Sequence, residues 1–577
     1  MEGKKFGDFL NEVSLTSKAD SMEAREYQIN IAKSILLKGN SLVIMPTALG
    51  KTFIAVLVIA KFVREMLDGK RGRKKFLFLA PTKPLANQQA QTLQNLVDFG
   101  KTDVQIKKEI GQNAQRREFG RGKAQVGEET KPTDEPRLGG KNTLEEGLEG
   151  GALGVILMTG KTSPEKRTAL WRDKNIWCYV GTPQTVEFDL LVGRMDLNDF
   201  CMVVLDEAHR AVKEYSYSFV AREAAIRNLL VIGLTASPSS RKETIDEICS
   251  NLQIENIEIR DENDADVKTF SHKIENDWVF VELPKEILVL RDLLLELLKE
   301  VLEDLKALGA IQSSDLQKHK RELLMARQRA LRDLHVDSKN FSVLSLQARA
   351  MNISHGLDLV ETQGIAALLV FMEGMKNRET KSKAVRVLLE DFRWEAIEEK
   401  AREIAGKGGE HPKFEALVKL LKKMKKGEKA IVFAQFRSSI TKIVQVLEKV
   451  EGLAPVEFVG KSKGKGQKHQ QQVMQGFREE KFNVLVSTSV GEEGLDVPEV
   501  SLVVFFESVP SEIRLIQRRG RTGRIREGKV VFLITKGTKD EAMFWVSKNR
   551  EKKMRKMIEG MRGGVDFKSG QTLLSDV

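Results

Sequence analysis

The sequence predicts an α/β protein in which two parallel-sheet domains flank an all-helical domain. Three observations predict it. Short, nearly continuous apolar runs alternate with helical stretches across residues 1–240, and strands buried on both faces of a parallel sheet read this way. The same alternation returns after residue 407. Between the two, proline is absent from Lys285 to His411 while leucines recur at helical spacing, which a helical domain requires.

Taken in order, the expected strands of the first domain are Ser41–Met45, Phe76–Ala80, Val155–Met158, Cys201–Leu205 and Leu229–Leu234. Residues 104–152 are rich in Gly, Glu, Lys and Arg, with Phe119 the only aromatic. Such a segment cannot bury a core and is expected to be a flexible insertion. Residues 241–284 are expected to connect, and 285–406 to form the helical domain, with Ile287, Leu288, Leu290, Leu294 and Leu298 on its first helix. Breaks near Gly309, Asp337–Asn340 and Asn377–Ser382 favour a folded bundle of about four helices over one long heptad helix. The second α/β domain, 407–545, has the runs Ala430–Phe433, Val484–Ser487, Leu502–Phe506 and Val530–Ile534. Its basic, glycine-rich loop Gly460–His469 reads either as a solvated loop or as a phosphate-contacting arm. Residues 546–577 are expected to be a basic C-terminal tail, helical in pattern over Ser547–Arg562.

Composition bounds the function. The chain has 577 residues, 41% apolar and 31% charged, which excludes a mostly disordered chain. No apolar run reaches the roughly 18–20 residues of a membrane helix, and the N-terminus lacks the apolar core of a signal peptide. Cys178, Cys201 and Cys249 are too widely spaced for a metal knuckle or a disulfide framework, so a reducing, cytoplasmic setting is expected. The net charge of +12 fits a polyanionic partner.

The chemistry starts at Ser41–Met45. That strand runs into Pro46-Thr47-Ala48-Leu49-Gly50-Lys51-Thr52 and then an apolar helix. Strand, loop and helix in this order form a phosphate cradle, with backbone N–H groups and the helix N-terminus facing the anion. Lys51 would reach the β- and γ-phosphates and Thr52 would ligate Mg²⁺. One departure is visible: Met45 stands where this loop pattern has its first glycine. The run Cys201–Leu205 ends at Asp206-Glu207-Ala208-His209. An acidic pair at the end of a neighbouring strand lies beside the phosphate loop of such a sheet. Asp206 would hold Mg²⁺, and Glu207 would orient and deprotonate the attacking water. Far downstream, Gln517-Arg518-Arg519-Gly520-Arg521-Thr522-Gly523-Arg524 clusters guanidinium groups. Arg521 and Arg524 could stabilise charge on the γ-phosphate, provided the two α/β domains close.

These elements together resemble the core of a superfamily-2 helicase, over Glu23 to Lys552 apart from the insertion. Arg25-Glu26-Tyr27-Gln28 resembles the adenine-reading glutamine motif. Ala80-Pro81-Thr82-Lys83-Pro84-Leu85 and Gly181-Thr182-Pro183-Gln184-Thr185 resemble the strand-contacting loops of the first domain. Thr235-Ala236-Ser237 resembles the motif linking ATP to the nucleic acid, and Ser487 to Pro498 the second-domain motif that touches both ligands. Finer runs, among them Ser508 to Arg524 and Gly537 to Trp545, are similar to the archaeal Hef helicase and its FANCM relatives, which carry a helical domain between two RecA-like domains.

The resemblance implies ATP and Mg²⁺ as cofactors and 3′→5′ translocation on DNA, with forked or branched DNA preferred in repair and replication-fork processing. It implies Gln28, Thr47, Ala48, Leu49, Gly50, Lys51, Thr52, Gly494 and Asp496 around the nucleotide. Lys51, Asp206, Glu207, Gln517, Arg521 and Arg524 would carry catalysis, and Thr82, Lys83, Thr182, Pro183, Thr235, Arg437 and Thr488 would contact the strand. His209 would link the ATP site to the second domain. The basic clusters Lys318–Arg321 and Arg327–Arg332 would let the helical domain grip duplex like a thumb. No nuclease signature follows the core, so a nuclease is expected to be a separate partner. The end, Gly570–Val577, faintly resembles a sliding-clamp-binding tail. A prokaryotic, nucleoid-associated location follows. Two other readings stay open: a double-stranded-RNA-dependent ATPase of the RNA-sensor or Dicer type, and a nucleic-acid clamp with a dead ATP site, for which Met45 and Ala48 argue.

Overall fold

The computed structural model describes residues 9, 12–16, 24–46, 49–100, 154–270, 274–314, 319–333, 339–459, 467–488, 498, 500–508 and 528–561. The chain divides into two compact units, Met1–Thr269 with Met557–Val577, and Phe270–Lys556. Among the described residues no helix is long and apolar enough to cross a membrane.

The first unit is built on β1 (Ser41–Ile44), β2 (Lys75–Leu79), β3 (Val155–Met158), β4 (Cys178–Gly181), β5 (Phe200–Asp206), β6 (Leu230–Thr235) and β7 (Asn256–Ile259). The order is β3-β4-β2-β5-β6-β1-β7, with every neighbouring pair parallel. Successive side chains of a strand enter opposite cores. Val43 and Val204 join one core with the helix Lys51–Leu67, while Leu42, Ile44, Val203 and Leu205 join the other with the helix Ser216–Ile226. Both faces are covered, which is why these strands are apolar without alternation. The helix Lys51–Leu67 buries 12 of its 17 residues. Each fully buried Val, Leu or Ile there contributes about 1.5–3 kcal/mol, enough to anchor the helix start that follows the loop after β1. Met557, Ile558 and Met561 pack on the second of these cores.

The second unit has a sheet of β8 (Ile274–Val281), β9 (Ala430–Phe433), β10 (Pro455–Phe458), β11 (Val484–Ser487), β12 (Leu502–Phe505) and β13 (Gly528–Thr535). Its order is β10-β11-β9-β12-β13-β8, again all parallel. The two-sheet architecture with helices between is therefore as the sequence predicts, with differences of detail. Residues 241–284 are more than a connector: they supply β7 to the first sheet and β8 to the second. The helical segment forms six described helices rather than four: Lys285–Ala307, His319–Arg332, Lys339–Thr362, Ile365–Lys376, Lys383–Leu389 and Phe392–Gly406. One unforeseen break is at Gly364, whose φ of 109° a residue with a Cβ would resist. The other is at Asp391, which caps the last helix by accepting from Arg393 N. The helix Lys539–Met561 runs straight through the expected start of a tail at 546. The expected insertion at 104–152, the loop residues 460–466 and the end after Met561 lie outside the described residues.

Within the second unit, the bundle and the sheet are joined by a buried polar seam. Gln363 Nε2 donates to Glu507 Oε2 at 3.0 Å, and the Ser439 hydroxyl donates to Gln363 Oε1 at 2.5 Å. The Lys539 N–H donates to Glu361 Oε2 at 3.2 Å. Lys413 and Asp540, both buried, pair at 2.6 Å, and Asp540 also accepts from the N–H groups of Ser508 and Thr535. Burial alone would push the Asp540 carboxyl up. The Lys413 ammonium and those donors outweigh it and hold the group below its ordinary value.

His411 sits in the same seam. Its Nδ1 accepts from Lys413 N at 3.2 Å and its Nε2 pairs with Glu361 O at 3.1 Å, an arrangement that needs a neutral ring protonated at Nε2. Burial, helped by Lys413, pushes His411 down to about 3. An unfolded histidine titrates near ~6.5, so between these values the unfolded chain holds the extra proton. Stability of the second unit should then fall as pH drops below ~6.5, by up to about 1.4 kcal/mol per pH unit. Urea unfolding from pH 7 to 5 checks this, and His411→Gln should flatten the dependence. An unchanged slope in that variant would remove His411 as its source.

Candidate nucleotide site

The first unit places its motif residues along one edge of its sheet. In parallel register Ile44 lies opposite Thr235, and Asp206 opposite Leu234. The carboxyl ends of β1, β6 and β5 therefore sit side by side, where open α/β sheets bind ligands. Beyond β1, Gly50 precedes the helix Lys51–Leu67 in the left-handed conformation, φ 73° and ψ 43°. A Cβ there would come within 2.7 Å of Gln28 Nε2, so this glycine answers both to backbone and to space. The loop is clamped from the preceding helix: Tyr27 OH and Gln28 Nε2 each donate to Leu49 O at 3.0 Å. Gln28 Oε1 in turn accepts from Arg25 N at 3.0 Å.

Lys51, 8% exposed, donates to Met45 O at 3.0 Å. Its ammonium thus sits at the end of β1, on the carbonyl of Met45. Met45 itself is fully buried in the core and is not among the residues with positive φ. The missing glycine therefore removes no conformational freedom that this loop uses. Thr52 opens the helix beside Lys51. Thr47 and Ala48 lie outside the described residues.

Asp206 closes β5, 6% exposed. Gln89 Nε2 donates to its Oδ2 at 2.8 Å and Glu207 N to its Oδ1 at 3.0 Å. Tyr217 OH donates to Asp206 O at 2.7 Å and reaches Leu79 O at 3.3 Å, tying β5 to β2. Burial first, and the Glu207 carboxylate second, push the Asp206 carboxyl up to about 7, against the pull of Lys51. Glu207 adopts the left-handed conformation at φ 51° and ψ 50°, which costs a non-glycine residue about 1–2 kcal/mol. That turn brings its Oε2 to 3.3 Å from His209 Nδ1, while the same nitrogen lies 3.2 Å from Thr235 Oγ1. The chain of contacts Glu207–His209–Thr235 crosses from β5 to β6.

These residues fit a divalent cation. Two adjacent carboxyl groups at the end of β5, with Lys51 and Thr52 opening the helix after β1, suit Mg²⁺ bound by one carboxylate and phosphate oxygens. Among the described residues no cluster of three or more His, Cys, Asp or Glu side chains forms an all-protein cage.

The expected strand contacts divide. Thr235 is fully buried, and its hydroxyl accepts from Ser237 N at 3.2 Å and meets His209. As a correction, it is an internal bridge rather than a surface group. Thr182 is buried with its hydroxyl 2.9 Å from Thr185 Oγ1, and Pro183 is buried too. Thr82 caps the helix Lys83–Leu96, accepting from Leu85 N at 3.4 Å, and Lys83 is exposed. In the second unit Arg437 is exposed at the start of the helix Arg437–Leu447, and Thr488 follows β11. Gly494, Asp496, Gln517, Arg521 and Arg524 lie outside the described residues. Gln89 and Tyr217, which hold Asp206, went unnoticed in the sequence. Gln89 is 117 positions from its partner, and a glutamine on an amphipathic helix carries no local signal.

Comparison with known proteins gives a consistent result. The family described as "Type III restriction enzyme, res subunit" matches residues 21–240, and "Helicase conserved C-terminal domain" matches 412–526. "Putative ATP-dependent RNA helicase, helical bundle" matches 285–403. A Methanocaldococcus jannaschii protein named "Putative ATP-dependent RNA helicase" is 33% identical over 94% of this chain and 62% of its own length. The ATP-dependent DNA helicase mph1 of Neurospora crassa is 30% identical over 93% of this chain and 43% of its own. The chain thus spans less than two thirds of the length of these relatives. The crystal structure of the Pyrococcus furiosus Hef helicase domain is 36% identical, with a TM-score of 0.64 over 92% of this chain and 99% of that one.

Proposed function

This chain belongs to the Hef/FANCM group of superfamily-2 helicases, and from that premise we propose that it is an ATP-driven 3′→5′ DNA motor that remodels forked and branched DNA. The observation that carries the reading is the alignment of Lys51, Asp206 and Glu207 along one sheet edge, with His209 and Thr235 leading away from it. ATP binds with its phosphates on the Leu49–Thr52 backbone and Lys51 on the outer phosphates. Thr52 and Asp206 hold Mg²⁺, which neutralises charge on the transferring phosphoryl group when bound. Glu207, held by its left-handed turn, orients the attacking water and takes its proton. Gln517, Arg521 and Arg524 are the proposed further catalytic residues, and Gly494 and Asp496 the proposed further nucleotide contacts. His209 and Thr235 report the state of the Glu207 side to β6, and the strand lies across Thr82, Lys83, Arg437 and Thr488. Phosphate contacts of this kind are independent of base sequence and fall steeply with salt. A structure-specific nuclease and, through Gly570–Val577, a sliding clamp are the proposed partners, and the nucleoid is the proposed location.

The test is ATP turnover measured on single-stranded, duplex, forked and four-way DNA, each beside a matched RNA at equal salt. Forked or four-way DNA should stimulate most. Equal or greater stimulation by duplex RNA would replace this reading with the RNA-dependent one, which the name of the M. jannaschii relative favours. The dead-site reading loses its support at Met45, whose position asks for no glycine.

A further inference from the structure

The second unit carries a cavity that none of the nucleotide or strand motifs explains. It holds about 410 Å³ and lies among β8, the end of β12, β13 and the helix Lys539–Met561. Among the described residues, one wall is aromatic, from Trp278, Phe544 and Trp545, and Lys548 and Lys552 stand beside it. The chain has five tryptophans. Trp171, Trp177 and Trp394 are 4%, 6% and 1% exposed, whereas Trp278 and Trp545 are 39% and 44% exposed. The only two tryptophans that face solvent thus share one cavity, on an edge strand and its neighbouring helix. Folding alone gives no reason to leave two indoles there.

The rings and charges are arranged for a flat, anionic guest. Phe544 meets Trp278 edge-on at 6.2 Å and Trp545 at 5.1 Å, which fixes both indoles. Lys548 Nζ lies 4.3 Å from the Trp278 ring centre and 5.2 Å from that of Trp545. Glu551 is paired with Arg555 at 3.0 Å, so Lys548 and Lys552 set the sign of the cavity. Its lining also holds two buried polar atoms without hydrogen-bond partners, the Oγ of Ser508, a residue 8% exposed, and Asn276 Oδ1. Such atoms are costly unless something meets them. A hydroxyl that can donate or accept and an amide oxygen that accepts, both in one lining, suit the polar groups of a nucleobase.

We propose that this cavity is a stacking subsite for one unpaired nucleobase of a DNA single strand, with Lys548 and Lys552 on the adjoining phosphates. None of its lining residues belongs to the nucleotide site, and it needs neither ATP nor closure of the two sheet domains. It rests on the nucleic-acid reading only for the kind of strand it receives.

The exposed indoles make the site its own reporter. In the full chain without nucleotide, a short oligothymidylate should quench tryptophan emission, and an abasic oligomer of equal length should not. Trp278→Leu and Trp545→Leu should each remove part of the quenching and weaken oligothymidylate binding on the order of tenfold, read by anisotropy of a fluorescein label. Trp545→Phe keeps a ring and should keep most of the affinity while losing its share of the emission. ATP turnover without nucleic acid should stay at the wild-type rate in all three. Wild-type affinity in both leucine variants would overturn the proposal. So would equal binding of the abasic oligomer, or unchanged DNA binding with loss of self-association, which would make the cavity an interface between copies. Quenching that survives while branched DNA fails to stimulate turnover would sink the motor reading and leave the subsite standing.

Discussion

Glu207→Gln should leave ATP bound and stop its hydrolysis. Glutamine keeps the length of the side chain, and at the turn Arg210 N still donates to Glu207 O at 3.1 Å. The N–H of residue 207 still donates to Asp206 Oδ1, and Tyr217 still holds the Asp206 carbonyl. What is lost is the group that can take a proton from water. Removing a general base typically costs 10²–10⁴-fold in rate, and turnover with saturating forked DNA should fall on that order. A fluorescent ATP analogue should bind with near wild-type affinity, because Lys51 and the loop are untouched. Wild-type phosphate release in this variant would remove Glu207 from the role of base.

Lys51→Ala should fail one step earlier, at binding. In the structure the ammonium donates to Met45 O at 3.0 Å and favours the charged form of Asp206. The nucleotide gives up a charge-assisted hydrogen bond, worth about 1.5–3 kcal/mol, or roughly 10- to 150-fold in affinity. Turnover should be abolished, since the same ammonium would stabilise charge on the outer phosphates during transfer. Analogue titration and phosphate release, with the thermal midpoint as a folding control, separate this outcome from that of Glu207→Gln. Retained turnover would show that the loop after β1 does not hold the triphosphate.

The strands at the centres of both sheets were legible because burial on two faces leaves a continuous apolar run, as at Val43, Val204, Val432 and Val504. Three of the four strands that escaped, β7, β8 and β10, lie at sheet edges. There one side is wet, polar residues enter the strand, and Pro455 can open β10 without losing a ladder bond that a central strand would need. The break at Gly364 was equally silent, because it answers to Glu410, whose Oε1 accepts from Ile365 N at 2.8 Å across the seam.

The order of strand, loop and helix, and with it the run Gly50-Lys51-Thr52 at a helix start and an acidic strand end at Asp206–Glu207, was determined by sequence alone. Those features depend on residues that are chain neighbours, and local spacing encodes them. Tertiary structure decided the rest: that Met45 needs no glycine, that Thr235 is an internal bridge, that Gln89 and Tyr217 brace Asp206, and that Trp278 and Trp545 meet. Each of these depends on groups far apart in the chain, and only the packing of one element on another makes them neighbours.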